Sequence, residues 1–121
     1  MAKYLILIYG DDRQWAAMPP EEVRRLDEAH RALRAKAGSA GVAVLDGQEL
    51  ESASIATTLR TDADGRLAVT DGPFLETKEA VGGYYLIEAA DLDQVIDLAK
   101  GLYEVSAGHS GVEIRPVVDH G

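Results

Sequence analysis

The chain has no cysteine among its 121 residues. Disulfides, thiol nucleophiles and cysteine-ligated zinc or iron–sulfur centres are therefore excluded. Basic residues are scarce beside acidic ones, with 12 Lys and Arg against 21 Asp and Glu and a formal net charge of -9. Nucleic acid and anionic membrane surfaces are both gripped by clustered Lys and Arg, so neither is an expected partner. Long apolar runs are also missing. The stretch from Tyr4 to Tyr9, preceded by Lys3, is too short to span a bilayer, and no small-residue cleavage site stands before Asp11-Asp12-Arg13. It reads as a mature strand and not a signal peptide, which makes a cytoplasmic protein the expectation. Its length suits one domain over residues 1–121, large enough for a core without staples.

Several enzyme signatures are absent too. There is no phosphate-binding loop and no dinucleotide fingerprint, and Ser110 in Gly-His-Ser-Gly-Val lacks the glycine spacing of a nucleophile elbow. His30, His109 and His120 show no paired ligand spacing. Neither a cofactor nor a metal is expected.

Taken in order, Lys3 to Tyr9 is apolar at six consecutive positions and lacks the alternation of a strand with one wet face, so both its sides should be covered. A loop through Trp15 follows. Pro19-Pro20-Glu21-Glu22 opens a helix, with proline at its start and carboxylates at the positive end of the dipole. Val23, Leu26, His30, Leu33 and Ala37 form its apolar stripe, and Gly38 and Gly41 end it. His30 is the one ionisable group on that stripe. Val42 to Leu45 reads as a short strand that turns at Asp46-Gly47. Ile55 to Arg60 and Arg66 to Thr70 flank Asp62-Ala63-Asp64-Gly65 as a hairpin, where turn chemistry wins over a calcium loop because the closing glutamate is missing. Tyr84 to Glu88 is a further strand. Asp91, with Gln94 three residues on, caps a second helix whose apolar face is Leu92, Val95, Ile96, Ala99, Leu102 and Tyr103, with Lys100 and Gly101 near its C-terminal end. Val112 to Val117 closes the chain as a strand with Pro116 at an edge or bulge.

That order predicts an α+β fold: a ferredoxin-like split βαβ plan with an inserted β-hairpin. Two helices cover one face of such a sheet. The dryness of the first strand implies that the other face is covered as well, by a second copy packed sheet to sheet.

Between the hairpin and the next strand lies Asp71-Gly72-Pro73-Phe74-Leu75-Glu76-Thr77-Lys78-Glu79, followed by Gly82-Gly83-Tyr84-Tyr85. The Gly-Pro pair must break the chain there, since proline fixes its own φ and restricts the residue before it. This motif, with Lys3 to Gly10 and Val112 to Val117, resembles the DGPF-type branch of the YCII-related proteins over nearly the whole chain. The resemblance implies a ferredoxin-like dimeric α+β barrel and association with sigma factors of the extracytoplasmic-function type. It implies Asp71, Glu76 and Lys78 as site residues. The wider superfamily also has a proposed His–Asp pair, with its histidine early in the first helix. That place is held here by Glu22 or a neighbour, and His30 lies about two turns later.

From the residues themselves, His30 is the natural proton carrier, with Asp71 or Glu76 able to orient it if the central loop folds over the first helix. Tyr9 and Tyr85 are weaker pocket candidates. Each choice has a bland counterpart: a packed histidine with a backbone partner, a solvated loop, an ion pair between Glu76 and Lys78. Two functions follow. One is a homodimer that binds a small molecule or acts in regulation, with a pocket between sheet and first helix. The other is a cofactor-free enzyme performing proton transfer, isomerisation or elimination on a small substrate.

Overall fold

The computed structural model describes residues 1–74 and 79–121. Strand β1 (Ala2–Gly10) leads into a short helix α1 (Asp12–Ala16) and the long helix α2 (Pro20–Ser39). Next come β2 (Ala43–Glu49) and the ribbon β3 (Thr57–Thr61) and β4 (Leu67–Asp71). The chain closes with β5 (Ala80–Ala89), α3 (Leu92–Ala99), α4 (Tyr103–Ser106) and β6 (Ser110–Pro116). The main sheet runs β2-β5-β1-β6 with every pairing antiparallel, and β3-β4 forms a separate two-stranded sheet. Removing that ribbon leaves the strand order of a ferredoxin-like split βαβ fold, as the sequence predicts.

Side chains alternate across β1 and β5. Tyr4, Ile6 and Ile8 of β1, with Tyr85, Ile87 and Ala89 of β5, are buried beneath Leu33 and Ala37 of α2 and Val95, Leu98 and Ala99 of α3. Ile6, Ile87, Val95 and Leu102 are the largest side chains with essentially no exposure, so the core is centred on the helix-side face of the two middle strands. Leu5, Leu7 and Tyr9 alternate onto the opposite face and keep partial exposure.

The structure departs from the sequence expectations in three places that matter for the site. The loop around Trp15 is helical, because Asp11 caps it by accepting a hydrogen bond from the Arg13 amide at 2.9 Å. Strand β2 does not turn at Asp46-Gly47. It runs on to Glu49 through a register shift between Val44 and Asp46, and so builds a second wall opposite α2. The second helix ends at Ala99, beside the Lys100-Gly101 stop, so Leu102 and Tyr103 fall outside it, and α4 follows as a separate turn in which Glu104 is buried.

Other local signals hold. Asp91 accepts from the Gln94 amide at 2.9 Å, while the Gln94 side chain accepts from the Ala90 amide at 2.8 Å. Asp62 Oδ1 accepts from the amides of both Asp64 and Arg66, which commits that carboxylate to the hairpin turn. Pro116 lies at the end of β6, an edge strand. Among the described residues, no helix is long and apolar enough to cross a membrane.

Candidate functional site

A cleft of about 520 Å³ opens between α2 and the outer half of the sheet, a volume ordinary for a small-molecule site. Its helix wall carries Val23, Leu26, Asp27, His30, Arg31 and Arg34. The facing wall is the paired backbone of Gly47 to Leu50 on the β2 side and Gly82 to Tyr85 on β5. Trp15 closes one end. Its ring lies directly on the sheet backbone: a Cβ at Gly10 would come within 2.2 Å of the indole, and one at Gly82 within 2.5 Å. Only glycine permits that approach. The indole N–H donates to Ser110 Oγ at 3.0 Å, which fixes the ring's orientation.

At the inner end of the cleft, three side chains from three elements are joined in a row. His30 on α2 contacts both carboxylate oxygens of Glu104 through Nε2, at 2.9 and 3.0 Å. Its Nδ1 meets the Tyr85 hydroxyl at 2.6 Å. Helical spacing brings His30 to the cleft, because it stands three residues before the buried Leu33 and four after the half-buried Leu26. Strand alternation turns Tyr85 to the helix side, and the break before α4 supplies Glu104.

Glu104 is only 4 % exposed and is the one buried charged residue among those described. A carboxylate takes hydrogen bonds and gives none, so in the uncharged form of the ring Nε2 carries the N–H. Nδ1 is then the acceptor, and the Tyr85 hydroxyl donates to it. Burial pushes the Tyr85 phenol above its ordinary value of 10.0; the Arg34 guanidinium pulls against this, and the Glu104 charge adds to the rise. The phenol is therefore protonated at neutral pH. Arg34 lies over its ring, 5.3 Å from the centroid. Gly47 makes room for this layer, since a Cβ there would stand 2.6 Å from the Tyr85 ring and 3.2 Å from the Arg34 guanidinium.

The sequence-derived candidates divide. His30 sits in the cleft, but the carboxylate that meets it is Glu104, a residue the sequence reading passed over. Tyr85, rated only as a weak pocket candidate, is the other partner. Asp71 ends β4 opposite Thr57, is exposed, and is not among the residues lining the cleft. Glu76 and Lys78 lie outside the described residues. The start of their motif is visible: Gly72 adopts φ +104, its amide donates to Ala56 O at 2.7 Å, and its carbonyl accepts from Thr58 Oγ1 at 2.7 Å. Phe74 does not anchor the turn in a core; it is 61 % exposed, beneath the Arg60 guanidinium. Tyr9 lies on the opposite face of the sheet from His30. Among the described residues no three of His, Asp and Glu converge to hold a metal ion.

Comparison with known proteins gives two findings. The family model described as YCII-related domain matches residues 2–120. An uncharacterized protein of Rhizobium meliloti (strain 1021) is 36% identical over 117 residues, spanning 94% of this chain and 90% of that protein.

Proposed function

The chain belongs to the YCII-related family, and from that premise and the cleft geometry we propose that it is a cofactor-free acid–base catalyst acting on a small molecule. The observation that carries this reading is the unbroken row Glu104–His30–Tyr85 on the wall of a ligand-sized cleft. Both imidazole nitrogens are occupied, so His30 does not itself touch a ligand. The group that does is the Tyr85 oxygen. A substrate proton moves to that oxygen as the phenol proton moves to His30 Nδ1. The resulting imidazolium keeps its Nε2–H on the Glu104 carboxylate, which balances the new charge. Run backwards, the same row returns a proton to a different atom of the substrate, which makes an isomerisation; loss of a leaving group in between makes an elimination.

The test does not require the product to be known. Small carbon acids are incubated with the protein in deuterated water, and loss of the C–H signal is followed by NMR. The relay predicts exchange above the buffer rate for at least one carbon acid that binds. Binding without exchange would return the protein to the second reading, a small-molecule-binding regulator of the kind the sigma-factor association implies. That reading is favoured by one observation: every polar group of the row already has a partner inside the chain.

The homodimer belongs to either reading. Leu5, Leu7 and Tyr9 of β1 and Leu86 of β5 alternate onto the sheet face away from the helices, and Leu45 of β2 is 47 % exposed. A second copy packed on this face buries them. Sedimentation velocity should give a dimer that Leu7→Glu converts to monomer; a wild-type monomer at micromolar concentration would remove the proposal. Asp71, Glu76 and Lys78 are not required by the relay, and alanine at each should leave the exchange rate within about threefold of wild type.

A further inference from the structure

Resting on the cleft as a ligand site, we propose that its ligand is a small monocarboxylate with a flat apolar body, its carboxylate held by Arg31 and Arg34. The cleft is polarised along α2. Val23 and Leu26, with Trp15 and Met18 ahead of the helix, give the lining an apolar stretch, and Arg31 and Arg34, further along the same helix, give it a cationic one. Eight residues of helix separate Leu26 from Arg34, roughly 12 Å, enough for one ring and a short acid side chain.

Neither guanidinium is committed to a carboxylate among the described residues. Arg25, Lys36, Lys100 and Arg115 each stand within ion-pair distance of a carboxylate, whereas among the described residues Arg31 and Arg34 do not. Arg34 is also placed in advance by its seat on the Tyr85 ring, which removes part of the cost of ordering a long side chain on binding. A planar fork suits a carboxylate, and two forks a helical turn apart can share one. Other charges set the ligand's own charge. Asp27 lies between the apolar stretch and Arg31, and Glu49 lies on the facing strand. Each would repel a second anionic group, so a dicarboxylate is disfavoured. The ring end is shaped by Trp15, whose indole is flattened onto Gly10 and Gly82. A carboxylate on Arg34 also brings the carbon beside it to the Tyr85 hydroxyl, the point at which the proposed relay meets its substrate.

Trp15 is the only tryptophan in the chain, so its fluorescence reports on this cleft alone. The probes are 3-phenylpropanoate and its uncharged counterpart 3-phenylpropanamide, titrated against wild type, Arg31→Gln, Arg34→Gln and, outside the cleft, Lys36→Gln. The acid should change the emission saturably, with the amide binding roughly tenfold to a hundredfold more weakly, as expected for loss of charge-assisted hydrogen bonds. Each arginine variant should weaken the acid by a similar factor and leave the amide unchanged, while Lys36→Gln should match wild type. Equal affinity for acid and amide, no saturable response to the acid, or arginine variants that bind the acid normally would each overturn the proposal. Tyr85→Phe separates this inference from the catalytic one. It should still bind the acid while losing exchange; retained exchange on neutral carbon acids with no acid binding would sink the carboxylate assignment alone.

Discussion

Tyr85→Phe should lower the protein-catalysed exchange rate by roughly a hundredfold or more, the usual contribution of a positioned general acid–base group. The substitution removes one oxygen and leaves the ring, so the layer of Arg34, Tyr85 and Gly47 stays packed. His30 loses the donor on Nδ1 and keeps both contacts to Glu104. The protein should remain folded, and the loss should fall on the rate and not on affinity. The pH profile carries a second check. Burial raises the phenol pKa above 10.0, so the Tyr85 hydroxyl keeps its proton across the neutral range. The same shift has a sign for stability. A group whose pKa is raised by folding contributes stability that is complete below its unfolded value and is lost as pH climbs through the folded value. The wild-type advantage attributable to the Tyr85 hydroxyl should therefore shrink only above about pH 10. An exchange rate equal in Tyr85→Phe and wild type would mean that the phenol is a packing group.

Glu104→Ala should destabilise the fold by about 3 kcal/mol, the sum expected for losing a hydrogen bond to a charged acceptor and opening a cavity. The carboxylate is 4 % exposed and both its oxygens face His30 Nε2, so truncation leaves a buried N–H without an acceptor and a void beneath α2. Glu104→Gln distinguishes the two costs. Its amide oxygen can still accept from Nε2–H, so most of the stability should return, short by about 1 kcal/mol for the lost charge assistance. Catalysis should not return with it, because a neutral amide cannot balance an imidazolium. Urea unfolding with unchanged slopes measures the first effect, and exchange rates measure the second. A glutamine variant with full exchange would show that the carboxylate's charge is irrelevant.

The residues explain why some of this was legible before the structure and some was not. Local rules sufficed for the scaffold. The six apolar positions from Tyr4, the Asp62 turn and the Asp91–Gln94 cap each act over a few residues, and together they specify the strand and helix order of the split βαβ plan. They also placed His30 on the inward stripe of α2. Glu104 escaped because it follows Leu102 and Tyr103, the last of the apolar face, just past the Lys100-Gly101 end of the second helix. There a glutamate looks like a solvated residue. What turns it inward is the separate helical turn from Tyr103 to Ser106 beyond that stop, and four residues leave no periodic signal in the sequence. Gly47 was read as a turn for a similar reason: nothing near it in sequence reveals that Tyr85, 38 residues away, needs its missing Cβ. Asp71 was singled out by the resemblance of its motif, whereas the cleft is assembled by tertiary contacts between α2, β5 and α4.

The most direct measurement is of the imidazole itself, by two-bond ¹⁵N–¹H correlation NMR of His30 at neutral pH. The relay requires one tautomer, with the proton on Nε2 facing Glu104 and a bare Nδ1 accepting from Tyr85, and the Nδ1 resonance should shift in Tyr85→Phe while Nε2 remains protonated. A ring protonated on Nδ1, or one exchanging freely between the two tautomers, would contradict the account.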